Sequence, residues 1–355
     1  MITETPEPRG PAILLLLLAL VSACLAVPCL AGGWRVLPVL GYSSSSGVQL
    51  GGLLTNLHQD AGGAELFILN AWYGTKGALV VEPEIRFFGP GGFWTVGAAY
   101  RKRTDSKWYG WGNYGDEDSV ALYDMEQQLL YGRYEKPLGG GFLLSAGLEG
   151  RHCVAYGFEE SVLFDSSPSD ERSSSWTAGP EVRLTYSTGG NTVTTLEAGG
   201  CWQAGDASYG SADCSASILA AVGGRTSAGL NLELRRHFRS GSTPFPFLPS
   251  LGGGDGLRGF AGDRFRGDWS VLANLELRRV LFSFESEEGA ELGLGVVLFG
   301  DAGQVGDSLG GFAWDGFHLD AGFGLRSYVG EAVLRADIGF SNEGFGINTG
   351  FSELF

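Results

Sequence analysis

Residues 251–279 read LGGGDGLRGFAGDRFRGDWSVLANLELRR, a glycine-rich segment that leads directly into an alternating pattern. In the second part, Asn274, Glu276 and Arg278 fall on one face of an extended chain, and Leu275 and Leu277 fall on the other. The hexapeptide NLELRR also occurs at 231–236, on the other side of the glycine-rich segment. The stretch therefore predicts two similar strands joined by a long connection rich in glycine, arginine and aspartate.

The same alternation of polar and apolar residues runs through most of the chain. His318, Asp320 and Arg326 alternate with apolar residues, and so do Arg335 and Asp337. The alternating runs are longer than the five or six residues usual in soluble sheets, and they repeatedly carry charges on one face. Long strands with one apolar and one polar face are typical of a transmembrane β-barrel, in which the polar face lines the interior.

We predict an all-β fold, a 16-stranded antiparallel transmembrane barrel. The approximate strand bounds are 36–44, 47–58, 64–74, 77–88, 92–103, 119–136, 141–157, 173–186, 191–203, 211–222, 226–239, 267–282, 289–301, 314–327, 331–341 and 344–355. The long connections, near 103–118, 158–172, 240–266 and 302–313, are all odd-numbered, whereas the short glycine-containing turns are even-numbered. Since long loops are extracellular and short turns periplasmic in such barrels, this order supports the strand count.

The N-terminal residues predict export. Arg9 precedes the apolar run AILLLLLALVSACLA, which is too short for a membrane-spanning helix and is followed by small residues. We therefore predict a signal peptide over residues 1–31, cleaved after Ala26 or Ala31, and a barrel domain over 32–355. The sequence VSAC leaves open a lipid attached to Cys24.

The composition excludes some partners. The net charge of -16 disfavours nucleic acid, whose phosphates a negative surface repels. Outer-membrane lipids and lipopolysaccharide are the expected surroundings, in the bacterial outer membrane. Beyond the targeting region, three cysteines make no disulfide framework, although Cys201 and Cys214 flank one predicted hairpin and either pair or simply fill the barrel wall.

No motif predicts catalysis, a cofactor or a metal ion, so we expect no enzyme. The four histidines do not form a zinc-type spacing such as HExxH, and no GxSxG turn occurs. His237 and His318 are expected to line the interior. The acidic run Asp116–Asp118 is either a solvated loop or a site for divalent cations that bridge lipopolysaccharide. A nearby aromatic cluster is expected in an interfacial belt or a surface loop; its members are Trp108, Tyr109, Trp111 and Tyr114.

The glycine-rich segment resembles a hallmark of the BamA/TamA superfamily of outer-membrane proteins, also called the bacterial surface antigen family. The tetrapeptide Leu257-Arg258-Gly259-Phe260 matches the family's LRGF-type motif on the sixth extracellular loop. The following strands carry the family's glutamate at Glu276 and its FxDxG motif at Phe299–Gly303, which includes Asp301. Softer matches at 37–47, 107–113 and 334–340 are similar to members of the superfamily that lack periplasmic POTRA domains.

The resemblance implies a sixth loop folded into the lumen, with Arg258 against Asp301 or Glu276. That contact is either a structural anchor or part of a gate. It also implies a role in membrane-protein assembly, translocation or lipid handling, with unfolded client proteins or assembly factors as partners, and a lateral seam between the first and last strands. Because few residues lie between the cleavage site and Val36, we expect no POTRA domain. The alternative is a passive pore or structural barrel.

The ending GFSELF resembles the C-terminal strand that the outer-membrane assembly machinery recognises. Phe351 and Phe355 are predicted to lie on one face of the final strand and to form this assembly signal.

Overall fold

The computed structural model describes most of the chain beyond its N-terminal region. The described residues are 33–43, 46–60, 63–115, 120–159, 174–240, 245–285, 291–329, 332–351 and 353–355. The predicted signal peptide and the acidic run Asp116–Asp118 lie outside them. Within these ranges, no helix has the length and apolar character needed to cross a membrane.

The described residues form eighteen strands, of which sixteen make the barrel. In chain order the strands are β1 (Trp34–Ser43), β2 (Gly47–Asp60), β3 (Gly63–Gly74), β4 (Leu79–Gly89), β5 (Gly92–Trp108), β6 (Ala121–Gly139), β7 (Phe142–Tyr156), β8 (Ser175–Ser187), β9 (Thr192–Gly205), β10 (Ser208–Gly223), β11 (Thr226–Ser240), β12 (Ser250–Leu251), β13 (Phe265–Arg266), β14 (Trp269–Glu285), β15 (Glu291–Gly306), β16 (His318–Val329), β17 (Ala332–Ser341) and β18 (Gly344–Phe351). The two short strands, β12 and β13, pair only with each other. The predicted count of sixteen barrel strands is therefore confirmed. Some bounds differ, since β5 continues to Trp108, β15 continues to Gly306 and β16 begins only at His318.

Each barrel strand pairs antiparallel with its neighbour in the chain, and β11 pairs directly with β14. The barrel closes between β1 and β18, but there a single register pair, Ser43 with Asn348, joins the strands. By contrast, β1 pairs with β2 along its whole length, from Trp34 to Ser43. The closing junction, called the seam below, is therefore the most weakly hydrogen-bonded part of the wall.

Most of the wall has an apolar outer face and a polar inner face. On β14, Leu275 is 59% exposed, whereas its neighbours Asn274 and Glu276 are buried. Arg326 on β16 reaches Glu276 across the intervening strand β15, a contact that only side chains inside the barrel can make. The alternation that predicted the strands thus separates a lipid-facing surface from a charged interior.

The inner wall of β1–β3 departs from the predicted polar interior. Leu53 pairs with Asn70, which donates a hydrogen bond to Glu82 and so marks the inner face. Leu57 and Leu66 pair with each other on that same face. Leu57 is 53% exposed although it points inward. The first three strands therefore present an apolar surface to the lumen; its members, called the apolar inner wall below, are Leu37, Leu53, Leu57, Leu66 and Ile68.

The cysteines of the barrel are unpaired. Ser211 of β10 pairs with Cys201 of β9, and Cys214 lies three residues further along β10. Because faces alternate along a strand, Cys214 points to the opposite side of the wall from Cys201. This register excludes a disulfide between them, and Cys201 contacts Ser211 instead.

Candidate functional site

The connection between β11 and β14, called the LRGF loop below and described over residues 245–268, is folded compactly around its own motif. The hairpin of β12 and β13 pairs Ser250 with Arg266 and Leu251 with Phe265. Its core contains Leu257 and Phe260 of the motif, packed with residues of β14 and β15. The backbone N–H of Gly253 donates to the carbonyls of both motif residues, at 3.1 and 3.2 Å. Gly253 has φ +85°, which favours glycine, so the tight turn depends on this residue type.

Arg258 lies at the centre of the site and is 0% exposed. Its Nε and Nη2 donate to the two carboxylate oxygens of Asp301 at 2.8 and 2.7 Å. Its Nη1 donates to Oε1 of Glu276 at 2.5 Å and lies 3.5 Å from Oδ2 of Asp337. The guanidinium carbon also lies 3.5 Å from the centre of the Phe299 ring. The structure thus brings Arg258 against both carboxylates that the sequence left as alternatives.

The electrostatics of this arrangement fix the charge of Arg258. Burial by itself would lower its pKa, but the hydrogen bond to Asp301 and the charges of Asp301, Glu276 and Asp337 raise it above its ordinary value. Two parallel N–H···O bonds to one carboxylate form a rigid fork that a lysine cannot reproduce. The arginine is therefore permanently charged and held in one orientation.

The buried charges continue beyond the predicted residues, over β14, β16 and β17. Arg326 donates to Asp337 at 2.6 Å, and Arg278 donates to Glu276 at 2.7 Å. Glu353, beyond the end of β18, accepts a bond from Nε of Arg326 at 2.8 Å. Sequence analysis noted the alternation that contains Arg326 and Asp337 but did not connect them with Arg258, because strand register was not known.

Glycines let the loop backbone lie directly on the wall. A Cβ on Gly259 would come within 2.8 Å of the Asp320 side chain and 2.9 Å of the Phe340 backbone. A Cβ on Gly339 of β17 would come within 2.6 Å of the Gly259 nitrogen. Gly303, the last residue of FxDxG, faces the apolar core of the loop, where an added Cβ would lie 2.9 Å from Leu251. The glycines of both motifs are therefore required by close approach.

The tip of the loop contacts the strands next to the seam. Asn348 of β18 donates from Nδ2 to the Arg258 carbonyl at 3.0 Å, and Ser341 donates to the Gly259 carbonyl at 3.0 Å. Asn348 is also the residue that pairs with Ser43 across the seam. At the seam itself, the Thr349 hydroxyl accepts from the Tyr42 N–H at 2.9 Å and donates to the Tyr42 carbonyl at 3.2 Å. One residue, Asn348, therefore connects the motif to the seam.

Other parts of the LRGF loop contact the far side of the barrel. Asp263 forms an ion pair with Arg103 of β5 at 3.1 Å and with Arg266 at 2.9 Å. Burial would raise the pKa of Asp263, but the charges of Arg266 and Arg103 lower it to about 2. Phe245 packs on Trp108, with ring centres 4.6 Å apart. The same loop thus contacts β5 and, through Arg258, the wall formed by β14, β15 and β17.

Two residues of the aromatic cluster have positions that the sequence did not predict. Trp108 and Tyr109 are buried instead of lying in an interfacial belt or surface loop. Trp108 packs on the LRGF loop, and the Arg264 guanidinium lies over the Tyr109 ring at 4.5 Å. Trp111 and Tyr114 are exposed, as expected of a surface loop. Hydrophobicity alone did not distinguish contact with lipid from contact with a loop.

Asn113, which sequence analysis did not single out, links its own connection to β15, to β16 and to the segment between those two strands. Its side chain donates to the Gly316 carbonyl at 2.6 Å and accepts from the Val305 N–H at 3.1 Å. Its carbonyl lies 2.8 Å from Nε2 of His318, and the His318 ring stacks on Phe265. His237 is also buried, stacked on Tyr209. Each of the two inward-facing histidines therefore packs against an aromatic side chain.

The last strand ends at Phe351, four residues before the predicted bound. The side chain of Phe351 lies outside the described part of the chain. Phe355 does not extend the strand: its carbonyl accepts from Arg278 at 3.1 Å, and the Arg278 guanidinium lies over its ring. Since Arg278 is buried among interior charges, Phe355 turns to the inside of the barrel. The shared face predicted for Phe351 and Phe355 is therefore not formed by one continuous strand.

The site is built to hold a loop. Arg258 and Arg326 are paired with Glu276, Asp301 and Asp337, and the chemistry available is ion pairing and hydrogen bonding. In the ranges that the structure describes, no group of three or more histidine, cysteine, aspartate or glutamate side chains is placed to hold a metal ion.

Comparison with known proteins identifies the fold. No protein-family model and no curated protein matches the chain. Among solved structures, BamA from Haemophilus ducreyi lacking POTRA domains 1–3 is similar with a TM-score of 0.63 and 17% identity, over 90% of this chain and 70% of that one. CdiB from Escherichia coli is similar with a TM-score of 0.65 and 14% identity, over 92% of this chain. CdiB from Acinetobacter baumannii has a TM-score of 0.56 and 15% identity, over 91%.

The chain spans 64% and 60% of the two CdiB chains. At these identities the likeness concerns the fold. The sixteen-stranded closed barrel and these neighbours agree with the predicted position in the bacterial outer membrane. The fold implied by the LRGF and FxDxG motifs is therefore confirmed, because the chain has the barrel fold of these BamA and CdiB structures.

Proposed function

We propose that this barrel takes part in the assembly of outer-membrane proteins, in translocation or in lipid handling, without enzymatic activity. Its partners would be unfolded client proteins or other assembly factors, in a membrane of lipid and lipopolysaccharide. The fold shared with BamA and CdiB supports this class of function.

We further infer that the LRGF loop occupies the lumen. A loop that contacts Arg103 on β5 and also Asp301 on β15 reaches two well-separated parts of the wall. The interior is the region from which both can be reached. Arg258 would then anchor the loop, and the loop would obstruct the channel.

The observation that carries the proposal is the link between the motif and the seam. Asn348 holds the carbonyl of Arg258 and also forms the only register pair described between β1 and β18. A wall held by one such pair and the two bonds of Thr349 can open at low cost, since each hydrogen bond contributes only about 1 kcal/mol. A displacement of Asn348 at the seam would therefore act directly on the loop. This supports a gate rather than an isolated anchor.

A disulfide across the seam tests the gate. Cysteines at Ser43 and Asn348 should lock β1 to β18 when oxidised, and the locked protein should lose function that returns on reduction. The control is the same change at Ser327 and Leu334, which pair between β16 and β17. Full cross-linking with normal function would remove the seam from the mechanism.

Depletion followed by an inventory of the outer membrane tests the broader role. A general loss of other barrel proteins would support assembly, whereas a change in lipid distribution with normal protein content would support lipid handling. Normal levels of both would contradict the assembly and lipid-handling roles and leave translocation.

A passive pore is the second candidate, and two cavities favour it. They measure about 530 and 450 Å³, and both are lined by charged residues that include Arg235. Single-channel recordings separate the candidates. A steady open conductance that changes little in Arg258→Ala supports a pore, whereas a mostly closed barrel that opens in this variant supports a plugged one.

A further inference from the structure

The larger cavity has features that the anchoring of the loop does not explain. It measures about 530 Å³ and lies between β1–β5 and the LRGF loop. Its lining includes residues from both sides of the seam, Ser43 on β1 and Asn348 and Thr349 on β18. Part of the cavity therefore lies directly against the weakest junction of the wall.

The cavity lining carries one more positive than negative group, although the protein is strongly acidic overall. Its lining contains four arginines and three carboxylates, whereas the chain carries a net charge of -16. The arginines are Arg101, Arg103, Arg235 and Arg335. Arg101, Arg103 and Arg235 pair with Glu82, Asp263 and Glu233. Arg335 is therefore the arginine of this lining that is most available to attract an anion.

Arg335 is the residue in this lining best placed to bind a ligand. It is 9% exposed, and its Nη1 has no hydrogen-bond partner among the described residues. Its Nη2 pairs with Asp255 of the LRGF loop, but the Asp255 side chain is 91% exposed. A solvated carboxylate contributes little to such a pair, about 0–1 kcal/mol, so a ligand can replace it. A buried guanidinium with one unused donor and one replaceable partner is suited to a phosphate group.

The apolar inner wall lies next to this cavity, nearer the periplasmic ends of the same strands. Leu37 is six residues before Ser43 on β1, and Leu57 is eight residues after Gln49, another lining residue, on β2. A cavity with one available arginine lies on the extracellular side of an apolar surface, which is the polarity of a lipid in the outer leaflet. Headgroup and acyl chains would each meet a matching surface.

We propose that the cavity binds the phosphate-bearing headgroup of an anionic membrane lipid, with Arg335 as the main ligand and the apolar inner wall in contact with the acyl chains. The lipid would reach the cavity through the seam. The inference rests on the lipid-handling branch of the proposed function and names its substrate class.

Titration of dioleoyl phosphatidylglycerol into the full chain in detergent micelles, followed by native mass spectrometry, tests the site. Arg335→Gln should weaken binding by about tenfold or more, because a charge-assisted hydrogen bond contributes roughly 1.5–3 kcal/mol. Asp255→Asn should tighten binding by roughly two- to fivefold, since it removes the competing carboxylate. The matched control is Arg183→Gln, which removes the same charge from the inner wall outside this cavity.

Leu57→Ser distinguishes a lipid from a small anion. It should weaken binding of the lipid by roughly fivefold through lost apolar contact, without changing competition by inorganic phosphate. Equal binding in Arg335→Gln and Arg183→Gln, or no gain in Asp255→Asn, would overturn the proposal. Competition by inorganic phosphate with no effect of Leu57→Ser on lipid binding would also overturn it. Because lipid binding is measured on the isolated protein, these failures leave the assembly branch unaffected.

Discussion

Replacing Arg258 with alanine is expected to destabilise the barrel more than any exposed arginine replacement. The side chain is fully buried and donates to Asp301 through two atoms and to Glu276 through a third. Its loss leaves Asp301 without its bidentate partner and removes one of the cations that neutralise Glu276. Breaking a buried ion pair from one side costs about 3–5 kcal/mol, because the remaining charge stays in a poorly solvated place.

Urea unfolding of the protein refolded into lipid vesicles, followed by tryptophan fluorescence, measures this change. Arg183→Ala is the matched control, since Arg183 also pairs with two carboxylates, Glu197 and Asp213, but its side chain is 41% exposed. We expect the free energy of unfolding of that control to fall by only about 0–1 kcal/mol. Arg258→Lys should fall between, because lysine keeps the charge but cannot form the two-pronged contact.

A double replacement tests the cause. If the unpaired carboxylate dominates the cost, the double variant Arg258→Ala with Asp301→Ala should lose less free energy of unfolding than the two single variants lose in sum. The reasoning would be refuted if the free energy of unfolding of Arg258→Ala lay within about 0.5 kcal/mol of that of the unchanged protein. A change that small is typical of a surface substitution, whereas Arg258 is the centre of a buried charge cluster.

Three further outcomes are expected. The pKa of Asp263 is lowered to about 2, so its ion pairs stabilise the loop above about pH 4 and are lost as the pH falls towards 2. Pepsin cleavage of the loop should therefore increase between pH 4 and pH 2, and the increase should be smaller in Asp263→Asn. Thr349→Val should lower the yield of a disulfide engineered across the seam, because it removes both bonds to Tyr42, worth about 1 kcal/mol each; an unchanged yield would contradict their role. In detergent, a maleimide should label the exposed Cys214 and leave the buried Cys153 unlabelled. Labelling of Cys153 in the folded protein would contradict its buried position.

The strand count could be predicted because the two faces of most strands differ in polarity. On β14, for example, Leu275 and Leu277 face lipid while Glu276 and Arg278 face the interior. Such alternation specifies strand and face together. The signal is weak on β1–β3, where Leu37 and Leu53 are apolar on the inner face as well. The apolar inner wall therefore could not be read from the pattern.

The central contact of the site was also within reach of sequence. Arg258 has a family motif around it, and Glu276 and Asp301 share strand parity, so both were named. Arg326 and Glu353 could not be assigned to the same cluster, because their contacts depend on the register of β14 with β16 and on a chain end that turns inward. Parity gives the face of a residue, whereas height along the barrel requires the register.

The distribution of contacts around the seam indicates which strand would move if the wall opens. β18 pairs with β17 along its length, its Asn348 holds the Arg258 carbonyl, and Glu353 beyond its end pairs with Arg326. β1 is held on this side by the Ser43 pair and the two bonds of Thr349. Because the described bonds that fix β18 far outnumber those that fix β1 to it, opening should displace β1 with β2 and leave β18 on the LRGF loop. The cavity that contains Arg335 would then open towards lipid while the buried cluster around Arg258 stays intact.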